Sequence, residues 1–177
     1  MSDGPGGDDL ASGALVFTDL AGFTAFTAEQ GDAAALRLVE QFEELTRSVL
    51  PAGARVVKQL GDGLFLHFPD PRPAVTAALR LNDSCTRSMG ESPLWVRTGV
   101  HVGSALRRGD DLIGHDVNVA SRITDLAAAG EVLVSEAARY EDDLPPGVVF
   151  EALGPVFLKG IDEPLRLVRA SRDAGPG

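Results

Sequence analysis

An α+β sandwich, a small sheet with helices packed on one face, is the architecture predicted for this chain of 177 residues. Two observations lead there: β-prone runs are joined by tight turns, and between them lie stretches whose apolar residues recur at three- and four-residue steps. A third is the length, which suits one globular unit able to bury a continuous core without disulfides or structural metal.

Residues 1–13, rich in Gly and Asp, and residues 171–177 lack apolar periodicity. They read as a mobile leader and tail around a folded unit over 14–170. Ala14, Leu15, Val16 and Phe17 form a short buried strand that runs into Asp19 and a turn at Gly22. Over 32–50, Leu36, Val39, Phe42, Leu45 and Val49 mark an amphipathic helix with Asp32 as its N-cap, closed by Pro51 and Gly53. Runs 55–60 and 64–68 form a hairpin whose tip, Gly61-Asp62-Gly63, presents Asp62. Asp70-Pro71 starts a second helix, with Val75, Ala78, Leu79, Asn82 and Cys85 on one face as far as Gly90. Leu94, Val96, Val100 and Val102 alternate along a central strand that ends at Gly103. A short helix over 118–126 places Val119, Ile123 and Leu126 on its apolar side, and residues 131–134 return to the sheet. Two further extended runs, 148–153 and 165–169, complete it.

Composition removes several classes of function. Apolar residues make up 44% and charged residues 24%, and no apolar run approaches the roughly 20 residues needed to span a bilayer. Met1 to Asp9 has neither the basic start nor the apolar stretch of a secretory signal, so a cytoplasmic protein is expected. Sixteen Lys and Arg against 26 Asp and Glu leave a formal charge of −10, which disfavours extended binding to a nucleic-acid backbone. An anionic small molecule needs metal ions or a few focused cations to overcome that field. Cys85 is the one cysteine and reads as a small buried helix residue. His67, His101 and His115 read as satisfied strand or turn histidines, and Trp95 and Phe23 as core or contact residues.

Asp19 at a strand end and Asp62 at a hairpin tip converge if their strands are neighbours. They then make a hard oxygen site open to solvent or metal; each alone is also an ordinary turn aspartate. Leu20, Ala21, Gly22, Phe23 and Thr24 offer backbone amides that can approach an anion where a helix begins, or simply form a strand-to-helix turn. Asn118 and Arg122, four apart on one helical face, present an amide and a planar cationic fork.

The segment Phe17-Thr18-Asp19-Leu20-Ala21-Gly22-Phe23-Thr24, followed by Lys58-Gln59-Leu60-Gly61-Asp62-Gly63, resembles the metal-binding segments of class III adenylate and guanylate cyclases. Arg97-Thr98-Gly99-Val100-His101-Val102-Gly103, then 111–122 with its Asp116-Val117-Asn118-Val119-Ala120-Ser121-Arg122, resemble that family's central strand and ribose-phosphate helix. Leu158-Lys159-Gly160 resembles its late phosphate-binding segment. The resemblance runs from Ala14 to Ala170 and implies the class III cyclase fold, a ferredoxin-like βαβ antiparallel sandwich.

By that resemblance Asp19 and Asp62 bind two divalent ions, Mg2+ or Mn2+, and Leu20 to Thr24 approach the triphosphate. Lys58 and Asp111 read the base, Asn118 orients the ribose, Arg122 stabilises the phosphate transition state and Lys159 holds the triphosphate. The family pairs head to tail, so a homodimer with two shared sites is implied, with ATP as ligand and neither nucleic acid nor membrane as partner. A cationic Lys58 donates to adenine's ring acceptor while a carboxylate accepts from its exocyclic amine; guanine reverses that pattern. The implied activity is adenylate cyclisation, with a silent nucleotide-binding homologue or a cyclase for another nucleotide as alternatives. Asp110 and Asp116 stand close to Asp111, which is preferred because it lies seven residues before Asn118, as the family's pattern implies.

Overall fold

The computed structural model describes residues 9–88, 95–142 and 144–173. In chain order the elements are β1 (Leu10–Leu20), α1 (Phe23–Gln30), α2 (Asp32–Val49), β2 (Arg55–Leu60), β3 (Gly63–Phe68) and α3 (Ala74–Ser88). They continue with β4 (Val96–Arg108), β5 (Asp111–Ile113), α4 (His115–Leu126), β6 (Val132–Ser135), a 3-10 turn (Glu136–Ala138), β7 (Val148–Val156) and β8 (Leu165–Arg172). The sheet runs β2-β3-β1-β4-β6-β8-β7, with β5 hairpinned onto β4. Every pairing is antiparallel except β4 with β6. In the first four strands of that order, β3 lies between β1 and β2, and β1 between β3 and β4. This is the split βαβ arrangement predicted.

The α+β sandwich holds, but helices cover both faces. Val16, Leu66, Val100, Val134 and Val168 point to one side and pack with Leu38 and Phe42 of α2 and Leu79 and Leu81 of α3. Their strand neighbours Leu15 and Phe65, with Ala105, point the other way and meet Val117 and Ala120 of α4. Leu133 and Leu167 join Val119 and Ile123 of α4 on that side. Alternation along each strand feeds two cores, and the sequence pattern does not say which helix covers which.

Several boundaries move. Leu10 to Gly13, assigned to the leader, pair in register with Leu106 to Gly103, because β4 does not stop at Gly103 but continues to Arg108 and provides the edge they need. Ser171 and Arg172, assigned to the tail, pair with Val149 and Val148. Asp32 is the first residue of α2 rather than its cap, and Gly31 precedes it. Leu36 and Leu126 are exposed, since the buried stripe of α2 runs Ala35, Leu38, Phe42, Thr46 and that of α4 ends at Thr124. Helix α1 is absent from the predicted elements: it buries no residue fully, so it leaves no stripe to read. The helix end at Gly90, strand residue Leu94, leader residues 1–8 and tail residues 174–177 lie outside the described residues.

Helix α4 lies directly on β4. A Cβ built on Gly99 would come within 2.4 Å of Thr124 Oγ1 and 2.5 Å of its backbone nitrogen. The absent side chain lets the helix backbone touch the strand, and Thr124 Oγ1 then donates to the Phe17 carbonyl at 3.2 Å. Gly99→Ala is expected to cost about 1–3 kcal/mol or more by overpacking, read as a lower denaturant midpoint.

Two buried histidines set the acid side of stability. Burial pulls both His67 and His101 below their ordinary pKa. The folded chain therefore holds fewer protons than the unfolded chain near that value. The stability they confer is complete above about pH 6.5 and is lost as pH falls below it. Thermal midpoints should fall between about pH 7.5 and 5.5, and His67→Gln should flatten that slope.

Candidate active site

Asp19 is the penultimate residue of β1, opposite Gly63 of β3 and Arg97 of β4. Sharing the parity of Leu15 and Phe17, it emerges on the α4 face. Arg97 holds it with both prongs: Nε donates to Oδ1 at 2.6 Å and Nη2 to Oδ2 at 3.1 Å. Arg97 Nη1 also donates to the Asp125 carbonyl at 3.3 Å. Hydrogen bonding to Asp19 raises the Arg97 pKa further, against the effect of its partial burial.

Asp62, in the β2–β3 turn, lines one cleft of about 130 Å³ with Asp19, Ser121 and Asp125. Burial pushes its carboxyl above the ordinary value; its own backbone amide opposes that, and the Asp19 charge adds to the rise. The two aspartates thus adjoin, whereas Asp19 is not open as predicted: a guanidinium occupies it. The pair fits a hard divalent cation, because a nearby cation favours the ionised carboxylate that burial and a like charge disfavour, and magnesium needs only one or two protein carboxylates. Among the described residues no group of three or more His, Cys, Asp or Glu is placed to hold a metal. Were a cation held there, water and phosphate oxygens would have to supply the other ligands.

Lys58 leaves β2 at a bulge and its Nζ donates to Asp111 Oδ2 at 2.8 Å. The Leu112 amide donates to the other oxygen of Asp111 at 2.8 Å. The Lys58 hydrogen bond holds the Asp111 carboxyl below its ordinary pKa. Of the three neighbouring aspartates, this one faces Lys58. Asp110 offers its carbonyl to Arg55 at 3.0 Å, and the Asp116 carboxylate accepts from the Ser104 amide at 2.8 Å.

Asn118 and Arg122 of α4 line a second cleft, about 290 Å³, with Lys159, His115, Ser121 and Gly160. Arg122 Nη1 donates to Asp125 Oδ2 at 3.1 Å, an exposed pairing that a stronger anion can displace. Ser121 borders both clefts. In the turn from Leu20 to Thr24, the Ala21 amide already donates to the Trp95 carbonyl at 2.8 Å. The Phe23 and Thr24 amides lie in the first turn of α1, where helices leave donors free.

Arg97, Ser121 and Asp125 join the site without having been singled out from the sequence. Arg97 sits in the strand segment already noted, but only the β1–β4 register sets it opposite Asp19. A Ser–His–Asp series also appears, with Ser135 Oγ 2.9 Å from His101 Nδ1 and His101 Nε2 3.4 Å from Asp116 Oδ1. Ser135 has no exposed surface, so it offers no nucleophile to a substrate.

The family model for the adenylate and guanylate cyclase catalytic domain matches residues 10–168, and the chain belongs to that family. A pH-sensitive adenylate cyclase of Mycobacterium tuberculosis is 33% identical over 163 residues, 90% of this chain and 41% of that protein. An adenylate cyclase of Streptomyces coelicolor is 36% identical over 129 residues, 72% of this chain and 33% of that protein. The chain spans about two fifths of the length of the first of these curated relatives and a third of the second. Among solved structures, the adenylyl cyclase CyaB of P. aeruginosa superposes with a TM-score of 0.81 at 21% identity, covering 96% of this chain and 98% of that one. The guanylyl cyclase Cya2 gives 0.78 at 19% identity, covering 96% of each. One fold thus accommodates proteins named for either purine.

Proposed function

We propose that this domain is an adenylate cyclase that converts ATP to 3′,5′-cyclic AMP and diphosphate at the interface of a homodimer. The observation that carries the choice of ATP is the Lys58–Asp111 pair at 2.8 Å, a cationic donor beside a carboxylate acceptor, complementary to the adenine edge. Two divalent ions, Mg2+ or Mn2+, held by Asp19 and Asp62, would supply Lewis-acid activation of the 3′-hydroxyl and neutralisation of phosphate charge. Asn118 orients the ribose so that its 3′-oxygen lines up with the α-phosphorus. As that oxygen gives up its proton to water and bonds to the α-phosphorus, the bond from that phosphorus to the oxygen bridging to the β-phosphate breaks and diphosphate leaves. Arg122 stabilises the charge that builds on the phosphoryl oxygens, and Lys159 with the Leu20 to Thr24 turn retains the leaving diphosphate. Asp19 and Asp62 line one cleft and Asn118, Arg122 and Lys159 an adjoining one; the head-to-tail pairing, in which each protomer lends one set to its partner's site, is carried over from the family.

Among the described residues no helix is long and apolar enough to cross a membrane. The proposed substrate is a cytoplasmic nucleotide, and the reading places the domain there. Incubation of the purified protein with each nucleoside triphosphate and Mg2+ or Mn2+ should yield cyclic AMP from ATP, identified by mass spectrometry. Nucleotide binding with no cyclic product from any of them would favour a silent homologue instead.

A further inference from the structure

We propose that Asp116 and His101 form a positioning clamp that sets the height and rotation of α4, and with it Asn118 and Arg122, on the sheet. The inference rests on the cyclase reading for its consequence but on separate geometry for its existence. Asp116 stands in the first turn of α4 and its side chain turns back onto β4. Oδ2 accepts from the Ser104 amide at 2.8 Å, and Oδ1 lies 3.4 Å from His101 Nε2. A carboxylate only accepts, so Nε2 carries the proton. Burial keeps the imidazole neutral by lowering its pKa, which leaves Nδ1 to accept from the Ser135 hydroxyl at 2.9 Å. One chain of hydrogen bonds thereby joins α4, β4 and the end of β6. The 3.4 Å contact is long for a hydrogen bond, so the Ser104 amide supplies most of the grip and His101 orients the carboxylate.

Space is reserved for this contact. A Cβ on Gly103 would come within 2.2 Å of Asp116 Oδ2, so the carboxylate lies flat on bare strand backbone. Gly114, which precedes α4, offers no side-chain cap, and Asp116 adds a polar anchor to the apolar packing of Val117 and Ala120 on the sheet. At the other end Thr124 is seated on Gly99 and bonded to the Phe17 carbonyl. Asn118 and Arg122 lie between the two anchors. Neither Asp116 nor His101 lines the cleft of Asn118 and Arg122, so both act through the helix rather than on a substrate. A helix slipping by about 1 Å displaces both reacting-group partners together, which is enough to cost about 100-fold in rate.

Asp116→Ala removes both acceptors, whereas Asp116→Asn keeps an oxygen for the Ser104 amide. The full chain should show about a 100-fold lower kcat for Asp116→Ala with KM changed by less than about threefold, and recovery to within about fivefold for Asp116→Asn. Amide hydrogen exchange supplies a readout independent of turnover: protection should fall over residues 117–121 in Asp116→Ala and stay unchanged in β1 and β3. Wild-type kcat and protection in Asp116→Ala would overturn the clamp, as would a rise in exchange spread evenly over the fold. If Asp116→Ala does not fold, His101→Leu takes its place, with a smaller rise in exchange confined to α4 expected and wild-type exchange there overturning the proposal. Loosened α4 in a protein whose wild type makes no cyclic nucleotide would leave the clamp standing and remove the cyclase reading alone.

Discussion

Mixing inactive Asp19→Ala protein with inactive Arg122→Ala protein restores cyclase activity to about a quarter of wild type, if each site is shared between two protomers. Each single variant should lose at least about 100-fold, since one removes a carboxylate of the proposed metal pair and the other a donor aimed at developing charge. Within one protomer Asp19 and Arg122 line different clefts, so the two lesions damage different halves. In a mixed dimer one site then carries both lesions and the other neither. Random exchange makes half of the dimers mixed, with one of two sites intact in each, hence about a quarter. Subunit exchange verified by mass spectrometry, with both variants folded and no recovery, would place the site within one chain or show strong coupling between the two.

The second large effect concerns the base. Lys58→Glu combined with Asp111→Cys should lower kcat/KM for ATP by about 10⁴-fold, because the donor that meets adenine's ring nitrogen becomes an acceptor. The double change matters: Lys58→Glu alone would set two carboxylates where Nζ and Oδ2 now lie 2.8 Å apart. Stability should barely move, since both side chains are more than a third exposed and such pairs contribute about 0–1 kcal/mol. Comparison of kcat/KM for ATP and GTP, alongside a thermal melt, decides it. Unchanged preference for ATP in a folded variant would sink the base assignment.

Local signals carried much of this architecture and connectivity carried the rest. The Gly61-Asp62-Gly63 tip and the Phe42 and Ile123 stripes are visible in sequence because turn chemistry and helical period are local properties. α1 was not legible, having no buried residue, nor was β5, whose three residues exist as a strand only because β4 runs past Gly103 to pair with them. The motifs place Asp19 and Asp62 in order along the chain, but their shared cleft needs β1 and β3 to be neighbours. The place of Arg97 has the same origin: alternation puts its side chain on a face, while the β1–β4 register alone sets it against Asp19. Asp111 shows the converse, where the family's pattern of spacing to Asn118 chose among three aspartates and the Lys58 contact falls on that one.

The Arg97–Asp19 pair gives the site a built-in counter-ion. A cation arriving at Asp19 would compete with a two-pronged guanidinium for the same carboxylate. The displaced charge then faces the cleft, where a triphosphate is the natural anion to receive it. If the site takes both as proposed, metal and nucleotide would be linked thermodynamically: each would lower the cost of admitting the other, and by equal factors. Calorimetry should therefore record weaker metal binding to the bare protein than to its complex with a non-reactive ATP analogue. Arg97→Ala should narrow that gap chiefly by tightening the metal-only measurement. On the proposed reading, the resting site would be shielded from stray divalent ions and would admit its metals together with the nucleotide.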